Sequence, residues 1–253
     1  EGTLVMRLKP SLGSGAVELA APSAHGRYLV HVYEPKSAFV LTLQAQRDAV
    51  VAGEPIGFVA RLAAPMKGAR LASIGGLVSA PDGSTQTLDF VRQKDGSYLA
   101  TITPDPAHAG GPGLWEVHAF ASGSDAGRSV LRDAKSAFAV ALPTARLTGT
   151  AQRTDTADGG IAVRLGIETI SASRYQVAAV LFGTAADGTL RPAAMAQSAA
   201  WLEAGQGSLD LRFDAANIAA SGLTAPFELR DLRLVDQASL GLLERHAIGL
   251  RLP

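Results

Sequence analysis

Apolar residues recur at every second position over most of the chain, in short runs that end at Gly, Pro, Asn or Asp. A period of two sends alternate side chains to opposite faces of an extended strand, so the pattern predicts strands half buried on one side. Over residues 1–37 it predicts strands at 4–8, 16–20 and 27–33, where Tyr28, Val30 and Val32 alternate with Leu29, His31 and Tyr33. These are read as the closing strands of an upstream β unit, and Pro35 with Lys36-Ser37 ends the pattern.

A second unit, 38–143, opens with Phe39, Leu41 and Leu43 on one face and bends at Val51-Ala52-Gly53-Glu54-Pro55. Ile56, Phe58, Ala60 and Leu62 resume the alternation, and 71–79 supplies another strand. Pro81-Asp82-Gly83-Ser84 and Lys94-Asp95-Gly96 carry turn chemistry, the second of the Asp-Gly hairpin kind. Tyr98, Ala100 and Ile102, then Trp115, Val117 and Ala119, then after a turn near Gly123 Phe138, Val140 and Leu142 complete about seven strands. Strands at roughly ten-residue spacing suit an immunoglobulin-type β-sandwich.

Pro143 ends that unit, and 144–253 repeats the pattern as a second sandwich. Ile161, Val163, Leu165 and Ile167 form one inward file and Tyr175, Val177, Ala179 and Leu181 the next. Asp187-Gly188 and Gly205-Gln206-Gly207 are turns, with 194–202 and then Leu209, Leu211 and Phe213 as strands around the second. Residues 214–222 are the one short helix candidate, capped by Asp214 and closing the sandwich end with Ile218. Leu229, Leu232 and Leu234 follow, and 240–252 is a final strand pair or one bent strand. The alternative, that Ala-rich stretches such as 193–204 are helices, has propensity behind it. It lacks the i, i+3, i+4, i+7 stripe that a buried helix needs.

Composition narrows the chemistry. The 253 residues include no Cys, which removes thiol nucleophiles, Cys-rich zinc sites and iron–sulfur clusters together. Twenty-three basic residues balance 23 acidic ones, so no global field draws the chain to nucleic acid. The apolar run at 177–182 falls far short of the roughly 20 residues of a membrane-crossing helix. The start, Glu1-Gly2-Thr3, is neither Met nor a charged leader, and is expected to belong to a mature or excised segment.

The run Ala225-Pro226-Phe227-Glu228-Leu229-Arg230-Asp231-Leu232-Arg233-Leu234, followed by Asp236 and Gly241-Leu242-Leu243, resembles a β-sandwich module of secreted bacterial proteins. In such modules a Gly-Pro-Tyr-like start leads into a Leu-rich strand; here Ala225 and Phe227 replace the usual Gly and Tyr. Leu209-Asp210-Leu211-Arg212-Phe213-Asp214 and Arg174-Tyr175-Gln176-Val177 extend the likeness over about 174–243. The preceding unit, with Val51-Ala52-Gly53-Glu54-Pro55, resembles Ig-like domains of bacterial surface proteins and macroglobulin-like modules. Both together are similar to an uncharacterised family of secreted proteobacterial proteins, a domain of unknown function. The resemblance implies export, secreted or periplasmic at the cell surface, and a non-catalytic accessory or adhesive role; it carries no functional residue over.

Candidate chemistry is sparse. The histidines, His25, His31, His108, His118 and His246, are scattered, with no His-Glu-x-x-His spacing. Glu116 and His118 share one strand face, where two metal ligands are sterically conceivable; without a third, a solvated face is the plain alternative. Asp155 and Asp158 stand before Gly159-Gly160, but the alternating ladder of a calcium loop is missing and a hairpin accounts for them. A calcium ion held by carbonyls with Asp231 or Asp236 is a residual alternative. Neither a Gly-x-Ser-x-Gly elbow nor a phosphate-binding Gly-x-x-x-x-Gly-Lys-Ser/Thr loop occurs. Trp115, Trp201, Tyr98 and Tyr33 are candidates for a carbohydrate platform against burial between sheets. Arg27, Arg164, Arg174, Arg212, Arg230 and Arg233 alternate with apolar neighbours, the signature of a solvated sheet face more than of a nucleic-acid patch.

The expectation is an all-β chain of two tandem immunoglobulin-like sandwiches with extra N-terminal strands, acting as a non-catalytic exported module. It would contact a protein or carbohydrate partner through loops such as 104–113 or through strand edges, using Trp115, Glu116, His118 and Trp201, with no metal, no cofactor and no nucleic acid. Two alternatives are the accessory part of a secreted hydrolase and a structural spacer.

Overall fold

The structure, a computed structural model, describes residues 4–13, 17–23, 25–26, 30–34, 37, 39–63, 70–125 and 128–252. It divides into Glu1–Ser37 and Ala38–Pro253. In the first unit Pro10–Leu12 forms a 3-10 turn, and among the described residues there is no strand. The alternation predicts strands at 4–8, 16–20 and 27–33; residues 4–8, 17–20 and 30–33 pair with nothing, while 16 and 27–29 lie outside the described residues. Period two gives a segment an extended preference, but only a hydrogen-bonded neighbour turns it into a sheet.

In the second unit, nine strands build the first sandwich: β1 (Val40–Ala45), β2 (Ala49–Val51), β3 (Ile56–Ala63), β4 (Arg70–Ser79), β5 (Thr85–Asp89), β6 (Val91–Arg92), β7 (Tyr98–Ile102), β8 (Trp115–Asp125) and β9 (Arg128–Ala141). They form sheets β1-β3-β7-β6 and β2-β9-β8-β4-β5, antiparallel except where β2 runs parallel to β9. The inward file chosen by period two is the core: Ile56 and Phe58 from one sheet meet Val78, Trp115, Val117 and Phe138 from the other. Phe58 and Trp115 both tilt against the Phe138 ring, at 5.2 and 6.1 Å. The turn expected near Gly123 is not there: β8 runs through it, pairing Gly123 with Val130. A glycine on a face with small neighbours does not by itself break a strand that is paired on both sides.

The second sandwich is longer-stranded: β10 (Ala145–Asp155), β11 (Ile161–Thr169), β12 (Ser173–Thr184), β13 (Leu190–Leu202), β14 (Gly205–Phe213), α1 (Ala215–Ser221), β15 (Thr224–Asp236) and β16 (Gly241–Leu252). Sheet β10-β11-β14 packs its Ile161, Val163, Ile167 and Leu211 against Tyr175, Val177, Leu181, Leu229 and Leu234 of sheet β13-β12-β15-β16. The Ala-rich 193–204 region lies largely in β13, so its place beside β12 overrides alanine's helix propensity. The glycines of Gly205-Gln206-Gly207 open β14, which leaves Glu203-Ala204 to carry the chain from one sheet to the other. β16 is one irregular strand rather than two. α1 begins where Asp214 accepts from the Ala216 and Asn217 amides and ends at Gly222, φ 65°.

The join between the sandwiches is polar and specific. Asp236 is buried and accepts from Ser173 Oγ at 2.7 Å, Thr144 Oγ1 at 3.0 Å and the Ala238 amide at 3.1 Å. The Tyr175 hydroxyl lies 2.7 Å from the Ser171 carbonyl and 3.1 Å from that of Thr144. Ala141, which ends β9 in the first sandwich, is buried in the core of the second.

Candidate binding face

The four residues singled out in the sequence do not converge. Trp115 is a core residue, 5% exposed, with its ring against Phe138. Glu116 and His118 do share the outer face of the first sandwich's five-stranded sheet, as their spacing predicts. There Glu116 pairs with Lys135 at 3.4 Å, and His118 Nε2 lies 2.8 Å from Asp133 Oδ2 with its ring 4.0 Å from Phe120. Both are thus engaged in cross-strand pairs. Trp201 stands on the second sandwich, 59% exposed, its indole N–H donating to Glu203 at 2.8 Å. Among the described residues no three His, Asp or Glu side chains gather as a metal site. Asp231 and Asp236, the residual calcium candidates, are occupied by arginines and by hydroxyls respectively.

Displaced carboxylates are all displaced downward. The Ser84 amide and hydroxyl hold Asp82 at about 2, with His108 Nδ1 2.8 Å away adding to the effect. The Ser97 hydroxyl and amide do the same to Asp95, with Arg61 behind them, also at about 2. Thr156 and the Gly160 amide lower Asp158, and Thr189 lowers Asp187. These are turn aspartates fastening the chain two residues on, each in or beside an Asp-Gly step, and their chemistry is that of the turn.

The outer face of sheet β13-β12-β15-β16 is different. Here the strands leave a hollow of about 550 Å³ lined by Val180, Phe182, Pro192, Arg230, Asp231, Arg245 and Ala247. Its shape comes from β15. The inward file reads Leu229, Leu232, Leu234, a step of three and then of two, so Arg230 and Asp231 both fall on the outside. The pairing with β12 shifts between Ala178 and Val180 to absorb the extra residue, and Asp231 takes φ 48°. A bulge of this kind re-aims side chains without disturbing the buried file, and an aspartate tolerates the left-handed region better than most residues.

The bulge gathers charge. Arg230 Cζ lies 4.9 Å over the Phe182 ring while its Nε donates to Glu228 Oε1 at 2.7 Å. The Glu228 side chain is 6% exposed and also faces Arg251 Nε at 3.9 Å, whose own side chain is 90% exposed. Asp231 pairs with Arg233 and, at 2.8 Å, with Arg245 Nε. Arg233 first, and Arg245 with it, hold the Asp231 carboxyl below its ordinary range. Four guanidiniums therefore share two carboxylates. Beside them Met195, across from Val180, is 73% exposed, and Ile248, across from Arg230, is 65% exposed. Trp201 pairs with Arg174, six residues along β12 from Val180, roughly 20 Å away.

Sequence reasoning placed Arg230 and Arg233 on a solvated face and missed their convergence with Phe182, Arg245 and Arg251. The available signal was the three-residue step from Leu229 to Leu232 inside a file of twos.

Comparison with known proteins returns two family models. One, described as the C-terminal domain of a domain of unknown function (DUF4785), matches residues 144–252; the N-terminal domain of the same family matches 1–34. No curated protein matches. A crystal structure of a DUF4785 family protein from Legionella pneumophila is similar, with a TM-score of 0.69 and 20% identity over 86% of this chain. This chain spans 58% of that one, and at such identity the likeness shows the fold alone. The Escherichia coli alpha-2-macroglobulin reaches a TM-score of 0.36 at 15% identity over 86% of this chain and 14% of its own. A Salmonella alpha-2-macroglobulin mutant reaches 0.34 at 18% over the same shares.

Proposed function

We propose, for a chain that belongs to the DUF4785 family of unknown function, that it is a non-catalytic exported module that holds a protein or glycan partner. The contact surface in this reading is the outer face of sheet β13-β12-β15-β16, rather than end loops. The observation that carries it is the hollow at the β15 bulge, with Met195 and Ile248 exposed beside it. A left-handed aspartate in a strand is strain that a regular strand would not need, and such strain gathers where a surface is shaped for contact. Export rests on the resemblance to secreted bacterial modules.

The test is a photo-crosslinking residue placed at Met195 in the native protein in its own cells, with Val91, an exposed residue of the first sandwich, as control. Discrete adducts from position 195 and none from 91, in the periplasmic or extracellular fraction, are expected. Equal labelling from both positions, or a cytosolic protein, overturns the reading.

A further inference from the structure

Resting on that reading of the face, we infer that the hollow at the β15 bulge takes an acidic peptide segment: an apolar side chain seated on the floor, with flanking carboxylates on Arg245 and Arg251. The open floor is made of Val180, Pro192 and Ala247, with the Phe182 ring beside it under the Arg230 guanidinium, and none of these four side chains offers a hydrogen bond. The rim is cationic in excess, because Glu228 and Asp231 each answer two arginines. Arg245 engages Asp231 through Nε, which leaves its two terminal nitrogens directed elsewhere, and Arg251 meets Glu228 only at 3.9 Å while standing almost wholly in solvent. A guanidinium has five donors in a planar fork that fits a carboxylate with two of them. Both arginines therefore retain donors for an incoming carboxylate, and neither existing pair has to break.

A sugar fits this floor less well than a peptide side chain. The Phe182 ring, the one aromatic face in the hollow, already lies under the Arg230 guanidinium, so it is not open for a sugar to stack on. Its charged lining, Arg230 and Arg245 against Asp231, is positive in excess, which a carboxylate answers and a neutral sugar does not. An apolar residue between acidic ones complements both parts of the site.

The probe is a short fluorescein-labelled peptide of alternating Glu and Leu, read by anisotropy against the whole chain, beside the Gln-Leu and Lys-Leu versions and with polygalacturonate as an acidic glycan. The Glu-Leu peptide is expected to bind and to weaken as salt rises, since its partners are exposed charges. Arg245→Gln together with Arg251→Gln is expected to weaken it about tenfold. The Lys-Leu peptide is expected to stay free. Both arginines lie on exposed parts of β16, so an unchanged melting temperature checks that the variant is folded. Equal binding of the three peptides, no effect of the double substitution, or displacement by polygalacturonate at equal charge overturns the inference. Crosslinks at Met195 without any Glu-Leu binding would reject the acidic peptide and leave the binding face standing. Absence of both would reject the face itself.

Discussion

Asp236 is the residue on which the start of the second sandwich is pinned. Burial alone would raise its pKa, but the hydrogen bonds from Ser173, Thr144 and the Ala238 amide outweigh that and hold it below the ordinary carboxylate range. A carboxyl depressed in the folded state contributes stability that is fully present above its unfolded value and is lost as pH falls through the folded value. Thermal stability is therefore expected to be level from neutrality to about pH 5 and to fall below about pH 4. Asp236→Ala leaves two hydroxyl donors without their acceptor and is expected to cost about 2 kcal/mol in urea unfolding at pH 7, with a shallower loss in acid. An unchanged midpoint would mean that water replaces the carboxylate at no cost. At this scale the sequence was informative where chemistry is local. Asp82, Asp95, Asp158 and Asp187 each stand in or beside a Gly step and each accepts from the amide two residues on. Asp236 also accepts from the amide two residues on, but no Gly step marks it, and its hydroxyl partners Thr144 and Ser173 are 92 and 63 residues away.

Elements were legible for the same reason, and their partners less so. Period two marked the inward files of β3, β7, β11 and β12, and the polar break before Ala215 marked α1 with its cap. Replacing the cap, Asp214→Ala, frees the Ala216 and Asn217 amides and is expected to cost about 1 kcal/mol of unfolding free energy. If Ile218, packed against the second core, carries the helix alone, the loss will be within error. β2 escaped notice since three residues are too few to show a period, and its parallel pairing with β9 is set by a segment about ninety residues on. The β15 bulge was written in the spacing of its leucines, yet its consequence was not. Which charges it brings to Phe182 depends on the register of β12 and β16, which period two leaves open. For the same reason Glu116 and His118 were rightly placed on one face while Trp115 beside them, on the other, went to the core.

Over the whole Ala38–Pro253 unit the two sandwiches are joined by more than a linker. Ala141 closes β9 yet is buried among the second sandwich's core residues, and the start of β16 comes against it. Gly241 is at that contact: a Cβ built there would lie 2.9 Å from the Ala141 Cβ and 3.0 Å from Ser239 Oγ. The serine hydroxyl can turn away, but the alanine methyl is carried where β9 pairs with β2 and cannot retreat without moving β9. Gly241→Ala is therefore expected to separate the sandwiches locally and to cost about 1–3 kcal/mol, the range for an extra methyl in a packed site. The chain's two tryptophans allow the consequence to be read, Trp115 within the first sandwich and Trp201 on the second. Single-tryptophan versions, Trp201→Phe and Trp115→Phe, should give coincident urea transitions while the junction is intact, because the second core takes Ala141 from a strand of the first sandwich. With Gly241→Ala added, the Trp201 transition should move to lower urea than the Trp115 transition. Traces that stay superimposed after the substitution would show that Gly241 can accept a methyl without uncoupling the pair. The coupling would then have to rest on the contacts of β16 with β2 and the rest of β9, and not on this approach of Gly241 to Ala141.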